Sequence, residues 1–241
     1  MKRYLKFVLI AFFLMSNLNC YSTSKDTLKS KTIIKKSIVP LSLIGIGVLI
    51  NKSEFEKKLN KDILKRVGEN YKTRIDDYIL FAPVVQMYSA DILGVKSKNH
   101  WFDQSKYLFI SNVIATGITD RLKKYTNKSR PSGSSKAFPS GHTTIAFTNA
   151  TVLYNEFIDT SPLLAYSGFA FAAGTGTFRM INNKHWVSDV LVGAGIGMII
   201  THLVYHFEPL KNFNPFKKSD KITFFPTISN DNYGLYFTYN F

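Results

Sequence analysis

Five long apolar stretches, each interrupted by only a few polar residues, favour helices over strands for the body of this chain: residues 78–95, 106–119, 143–157, 162–177 and 187–207. They are longer than ordinary strands, and none shows the strict apolar and polar alternation that a half-buried strand requires. The small residues of "LVGAGIGM" (191–198) let helices approach closely, in a membrane or in a water-soluble bundle. At 241 residues the chain suffices for one sizeable domain and is short for two. The expected fold is all-α, a helical bundle. Asp91, Asp189 and His202 lie inside the apolar stretches, and ionisable groups at membrane depth must face a bundle interior or a wet cavity. Integral and peripheral association therefore both fit a bundle embedded in, or seated on, a membrane.

The flanks differ in kind. "MKRYLKFVLIAFFLMSNLNCYSTS" places Lys2, Arg3 and Lys6 before an apolar run and then small residues, the order of a secretory signal peptide over residues 1–22. Cleavage after Ser22 removes Cys20, the only cysteine, so no disulfide is expected; a lipid anchor on Cys20 is the alternative. Residues 23–35 are polar and basic and read as an extended or disordered leader. Residues 37–50 are apolar but shorter than the roughly 20 residues a span needs. Phe55, Leu59, Ile63 and Val67, four residues apart among charges, predict an amphipathic surface helix over 52–71. At the far end, 221–229 and 233–241 flank Asn230-Asp231-Asn232 and predict a short β-hairpin. The expected organisation is a signal peptide (1–22), a leader with an amphipathic helix (23–74), a core (75–207) and a tail with a hairpin (208–241).

Lys plus Arg outnumber Asp plus Glu by 31 to 16, a net charge of +15, which suits a phosphate-bearing partner. The signal peptide and the absence of any nucleic-acid motif argue against nucleic acid.

Three segments carry residues suited to phosphate chemistry. "KKYTNKSRPSGSSKAF" (123–138) gathers Lys123, Lys124, Lys128, Arg130 and Lys136 without an acidic residue, and an arginine fork matches phosphate oxygens with paired hydrogen bonds. "FPSGHTTIAF" (138–147) sets Ser140, Gly141 and His142 at a helix entrance, where backbone N–H groups and a positive dipole meet anions. "FRMINNKHWVSDV" (178–190) places His185 and Asp189 four apart, on one face of a helix beginning near His185, beyond Arg179. A carboxylate there holds one imidazole nitrogen as N–H and frees the other as nucleophile or base. His202 and His206 share that spacing, but no further Cys or His stands near to complete a metal site. His100, beside Trp101, reads as a loop or membrane-interface residue.

With Lys123-x6-Arg130-Pro131, then Pro139-Ser140-Gly141-His142, then Arg179-x5-His185-x3-Asp189, residues 75–207 resemble the type 2 phosphatidic acid phosphatase (PAP2) superfamily, whose motifs are K-x6-R-P, P-S-G-H and S-R-x5-H-x3-D. Phe178 stands where the family has serine before the arginine. The resemblance implies a PAP2-type helical bundle and a metal-independent phosphohydrolase with no cofactor. In that reading His185 is the nucleophile and Asp189 orients it, while His142 is the acid and then the base. Lys123, Arg130, Ser140, Gly141 and Arg179 would hold the phosphoryl oxygens.

The implied substrate is a phosphate monoester or pyrophosphate, above all a lipid: phosphatidic acid, phosphatidylglycerophosphate, isoprenyl pyrophosphate or lipid A. The alternatives are a vanadium-dependent haloperoxidase, a soluble periplasmic acid phosphatase, and an envelope binding protein with weakened catalysis, to which Phe178 points. Signal peptide and hairpin together suggest a Gram-negative-type envelope, with the site facing the periplasm.

Overall fold

In a computed structural model, the described residues are 26–68, 71–207, 209–210, 222–229 and 232–239. The proposed signal peptide and Cys20 lie outside them. The chain divides into two compact units, one ending at Phe207 and the other covering Glu208–Phe241.

Among the described residues of the first unit, the regular structure is helical: α1 (Asp26–Leu49), α2 (Glu54–Val67), α3 (Ile75–Ile79), α4 (Ala82–Ile92), α5 (Trp101–Thr126), α6 (Gly141–Phe157), α7 (Pro162–Ile181) and α8 (Val187–His206). The apolar stretches fall on α3 to α8. In the second unit, β1 (Ile222–Ser229) pairs antiparallel with β2 (Asn232–Tyr239), Ile222 opposite Tyr239 and Ser229 opposite Asn232.

The reading of 23–35 as an extended leader is corrected over its described part, because residues 26–35 continue into the apolar 37–50 as one helix of 24 residues. No glycine or proline interrupts 26–39, and once the following segment is helical each further residue adds a hydrogen bond without a new nucleus. That helix is about 36 Å long, so the 37–50 stretch is not a short isolated run.

Sequence signals set the helix ends. Ser53 Oγ accepts from Glu56 N at the start of α2, whose acidic first turn and basic last turn oppose its dipole, and Gly68 ends it at φ 97°. Asn127, at φ 40°, ends α5 in the left-handed conformation that asparagine tolerates. His100 is the N-cap of α5, its Nδ1 accepting from Phe102 N.

Helix α6 is the central column, packed against α4, α5, α7 and α8, and α8 is sandwiched between α6 and α1. Apolar side chains fill the spaces: Met87, Val152, Leu153, Phe157 and Ala165 in one cluster, Ala115, Phe138, Val192 and Ile196 in another. The α8 glycines make the sandwich possible. A Cβ on Gly193 would lie 2.6 Å from the Ser140 carbonyl oxygen, and one on Gly197 would lie 2.5 Å from that of Thr144 and 2.8 Å from Thr148 N. Gly195 faces the other way, where a Cβ would meet the Pro40 carbonyl oxygen of α1 at 2.6 Å. Backbone cannot yield as a flexible side-chain tip does, so Gly197→Ala is expected to cost about 1–3 kcal/mol by forcing α6 and α8 apart. Gly117→Ala on α5, where nothing lies within 4 Å of the added Cβ, is expected to be neutral or slightly stabilising, since alanine is the better helix former. Thermal unfolding of the two variants beside the parent checks the contrast.

Candidate active site

Hydrogen bonds from Thr126 to Phe138, Ser140 to Asp189 and His185 to Arg179 bring the end of α5, the start of α6, the end of α7 and the start of α8 together at one end of the bundle. Every residue singled out in the three motif segments is carried there.

After α7, Asn183 adopts a positive φ of 56°, and the chain folds back so that Lys184 N and His185 N both donate to the Arg179 carbonyl, at 3.1 and 3.3 Å. That turn ties Arg179 to His185. Asp189, fully buried, caps α8 by accepting from Trp186 N (2.8 Å) on Oδ2, while its Oδ1 accepts from Lys128 Nζ (3.0 Å). His185 Nδ1 stands 3.4 Å from Asp189 Oδ2, within ion-pair reach but off the axis of a formed hydrogen bond. Catalytic pairs are often this loose before substrate binds. The other ring nitrogen, Nε2, is thereby left for chemistry.

The 127–140 segment is pinned rather than free. Ala137 N donates to the Lys128 carbonyl (2.8 Å), Thr126 Oγ1 to the Phe138 carbonyl (2.9 Å), Trp186 Nε1 to the Ser129 carbonyl (2.8 Å), and Ser140 N to the Asp189 carbonyl (2.9 Å). The last bond joins the Pro-Ser-Gly-His turn to the start of α8. Buried Ser140 accepts from Thr143 Oγ1 (2.9 Å), which leaves its own hydroxyl proton to donate. Gly141 begins α6, where backbone N–H groups have no partner within the helix. Lys123 Cε passes 3.6 Å from the position a Gly141 Cβ would take, and its Nζ donates to the Lys136 carbonyl (3.1 Å).

Two acidic residues that the motifs do not contain complete the arrangement. Asp76 and Asp77 sit on the short α3, brought in because Asn182 at the end of α7 exchanges hydrogen bonds with the Thr73 backbone and donates to Asp76 Oδ1 (2.9 Å). Buried Asp76 accepts from Arg179 Nη1 on Oδ2 at 2.6 Å. Asp77 Oδ1 lies 2.9 Å from His142 Nε2, leaving Nδ1 of that ring unengaged by it. Their only sequence signal is an acidic pair in a strongly basic chain. Glu56 of α2 was also missed; its charge reads as part of a solvated face, yet it is buried.

Arg130 Nε and Arg179 Nε are both buried without an acceptor. Buried donors are almost always bonded, so two unpaired guanidinium N–H groups near Lys123 mark a place for an anion. The local field agrees. Burial, and then Arg130, bring the Lys123 pKa down to about 8. Burial brings His185 down to about 4, against the pull of Asp189. His142 is also lowered, by burial and then by Arg179, despite its bond to Asp77. Burial opposes ionisation of Asp77, but its bond to His142 and the nearby cations hold its pKa below the ordinary value. Among the described residues, no group of three or more His, Cys, Asp or Glu gathers to hold a metal.

The sequence pattern of the PAP2 superfamily matches residues 117–213, which include all three motif segments. Through that region the chain is similar to the PAP2 superfamily. It is 30% identical over 156 residues to a lipid A 1-phosphatase of Porphyromonas gingivalis, covering 64% of this chain and 35% of that relative. The chain thus matches only about a third of the relative's length. Among solved structures, Aquifex aeolicus LpxE is 22% identical, with a TM-score of 0.46 over 62% of this chain and 96% of that one. A transmembrane PAP2-type phosphatidylglycerolphosphate phosphatase from Bacillus subtilis is 18% identical, with a TM-score of 0.47 over 74% and 99% of the two chains.

Proposed function

We propose that this protein is a metal-independent phosphohydrolase of membrane-borne lipid phosphates, working through a phosphohistidine. The observation that carries the reading is the pair of buried, unpaired guanidinium N–H groups beside a neutral histidine backed by a carboxylate. His185 Nε2 attacks phosphorus in line, and the bond from phosphorus to the leaving oxygen breaks as His142 Nδ1–H gives that oxygen its proton. His142 then takes a proton from water, whose oxygen attacks phosphorus. The P–N bond breaks, its electron pair returns to Nε2, and phosphate leaves. Lys123, Arg130, Arg179, the Ser140 hydroxyl and the Gly141 N–H meet the equatorial oxygens, whose charge rises in the transition state.

Membrane association rests on exposed apolar side chains. Ile34, Ile38 and Ile46 on α1, Val85 and Ile92 on α4, Phe109 and Val113 on α5, and Leu163 and Phe171 on α7 all face outward. Most are more than half exposed, Ile92 and Leu163 at 85% and 86%, and such side chains suit a lipid environment. Among the described residues, α8 is the one helix long and apolar enough to cross a membrane. The named activity of the Porphyromonas gingivalis relative favours a lipid A type of substrate, a lipid carrying a sugar phosphate.

The test is phosphate release by the purified protein from lipid A, phosphatidic acid, phosphatidylglycerophosphate and an isoprenyl pyrophosphate in mixed micelles, beside a water-soluble phosphomonoester. Release from a lipid, and best from lipid A, is expected. Release from the soluble ester alone would overturn the lipid reading. In the same assay kcat/KM is expected to fall as pH drops through about 4, where His185 takes up a proton and loses its nucleophilic lone pair. It is also expected to fall as pH rises, through loss of the His142 proton and then, near 8, of the Lys123 charge. An optimum well above pH 8 would contradict these assignments.

A further inference from the structure

We infer that Glu56, on α2 and outside the 117–213 region, is a positioning residue for the His185–Asp189 pair, acting through Lys128; the inference rests on the phosphohydrolase reading. Lys128 is 5% exposed. Its ammonium has three protons, and three acceptors surround it: Glu56 Oε2 at 3.1 Å, Ser188 Oγ at 2.8 Å and Asp189 Oδ1 at 3.0 Å. The rings of Phe138 and Trp186 flank it at 5.7 and 5.6 Å, screening it from water. Glu56, 2% exposed, also accepts from Ser188 Oγ and from Lys52 N, so both its oxygens are occupied. Helix α2 is seated against the catalytic end by a second polar contact, Asn60 Nδ2 to Asn183 Oδ1 at 3.1 Å. Leu59 and Ile63 of α2 line a narrow crevice with His185 and Trp186.

The charge balance gives Glu56 its role. One buried ammonium stands between two buried carboxylates, so the cluster keeps one net negative charge. Because Glu56 neutralises Lys128, Asp189 retains its own charge for the imidazole, which becomes positive as His185 bonds to phosphorus. With Glu56 neutral, Lys128 has Asp189 as its sole counter-ion and draws the carboxylate's field away from the ring. With Lys128 removed, two carboxylates face each other across the Ser188 hydroxyl without a cation. The charged groups around His185 are then Asp189 on α8, Lys123 on α5 and Arg179 on α7, with Lys128 and Glu56 behind Asp189.

Partners one step behind a metal-bound histidine change activity by about 10–100-fold when lost, and the same order is expected for a partner behind this oriented imidazole. Glu56→Gln is expected to lower kcat by about that factor with KM nearly unchanged, and to move the acid limb of kcat to lower pH. Lys128→Met is expected to lose more, and Glu56→Asp to recover part of the loss. A purely structural role would lower the folded fraction and Tm without moving the acid limb.

The imidazole nitrogen signals of His185, followed by nuclear magnetic resonance across pH, report the same coupling without any turnover. A lower titration midpoint in Glu56→Gln is expected. An unchanged midpoint, or unchanged kcat and acid limb in an active parent, would overturn the inference. A parent that releases no phosphate, with the midpoint shifted in the variant, would count against the phosphohydrolase reading alone and leave the positioning of His185 supported.

Discussion

Replacing His185 with alanine is expected to reduce phosphate release by about 10⁴–10⁶, whereas Ser140→Ala is expected to cost about 10²–10³. The asymmetry follows from what each group does. His185 forms the bond that splits one difficult displacement into two, and among the described residues the other site histidine, His142, is held by Asp77 through Nε2. Ser140 is one donor among several, beside Lys123, Arg130, Arg179 and the α6 amides. Because His185 is 2% exposed, its removal leaves a cavity. His185→Gln, closer in volume, separates lost chemistry from lost packing, and it should unfold nearer the parent temperature than His185→Ala does. A phosphoryl label that survives alkali but not acid is expected on the quenched parent and should be absent from both variants. Similar, mild losses in His185→Ala and Ser140→Ala would remove His185 from the nucleophile's role.

The parts of this site that the sequence made legible are those in which short spacing carries the signal. His185 and Asp189 are four residues apart at a helix start, and Lys123 and Arg130 flank one helix end. Each motif therefore marks residues at one helix end, with His185 just ahead of the Trp186 N-cap and Arg130 in the turn after α5, while tertiary bonds to the 127–140 segment complete the geometry. The missed residues act across long separations. Asp76 meets Arg179 from 103 positions away, Asp77 meets His142 from 65, and Glu56 meets Lys128 from 72. Nothing in a window of one helix reveals such a partner. Glu56 was further disguised because its neighbours Lys57 and Lys58 are exposed, so a charged stretch with one buried acid looks like a solvated face. Residues 26–35 misled for a related reason: lysine and threonine suggest a leader, yet the segment is helical because the 37–49 part that follows it packs against the glycine face of α8.

Asp189→Asn is the substitution that tests whether these levels act as one. The carboxylate serves three donors: Lys128 Nζ on Oδ1, and on Oδ2 both Trp186 N and the His185 ring 3.4 Å away. An amide of the same shape has one accepting oxygen and one donating NH2. If its oxygen stays on the α8 cap, the NH2 confronts the buried ammonium; if it turns to Lys128, the NH2 faces Trp186 N and His185. Either orientation sets donor against donor and withdraws a charge from a cluster closed to solvent. Loss of the comparable carboxylate behind a catalytic histidine lowers kcat by about 10⁴, and a loss of about 10³–10⁴ in kcat is expected here. A cap of this type is worth about 1 kcal/mol and a buried donor left without an acceptor costs about 1–3 kcal/mol more, so thermal unfolding should fall measurably, by less than the kinetic loss. A kcat within tenfold of the parent would mean that His185 is oriented by the turn onto the Arg179 carbonyl and its surroundings, not by Asp189. The Lys128 cluster would then be a device for seating α2 and α8.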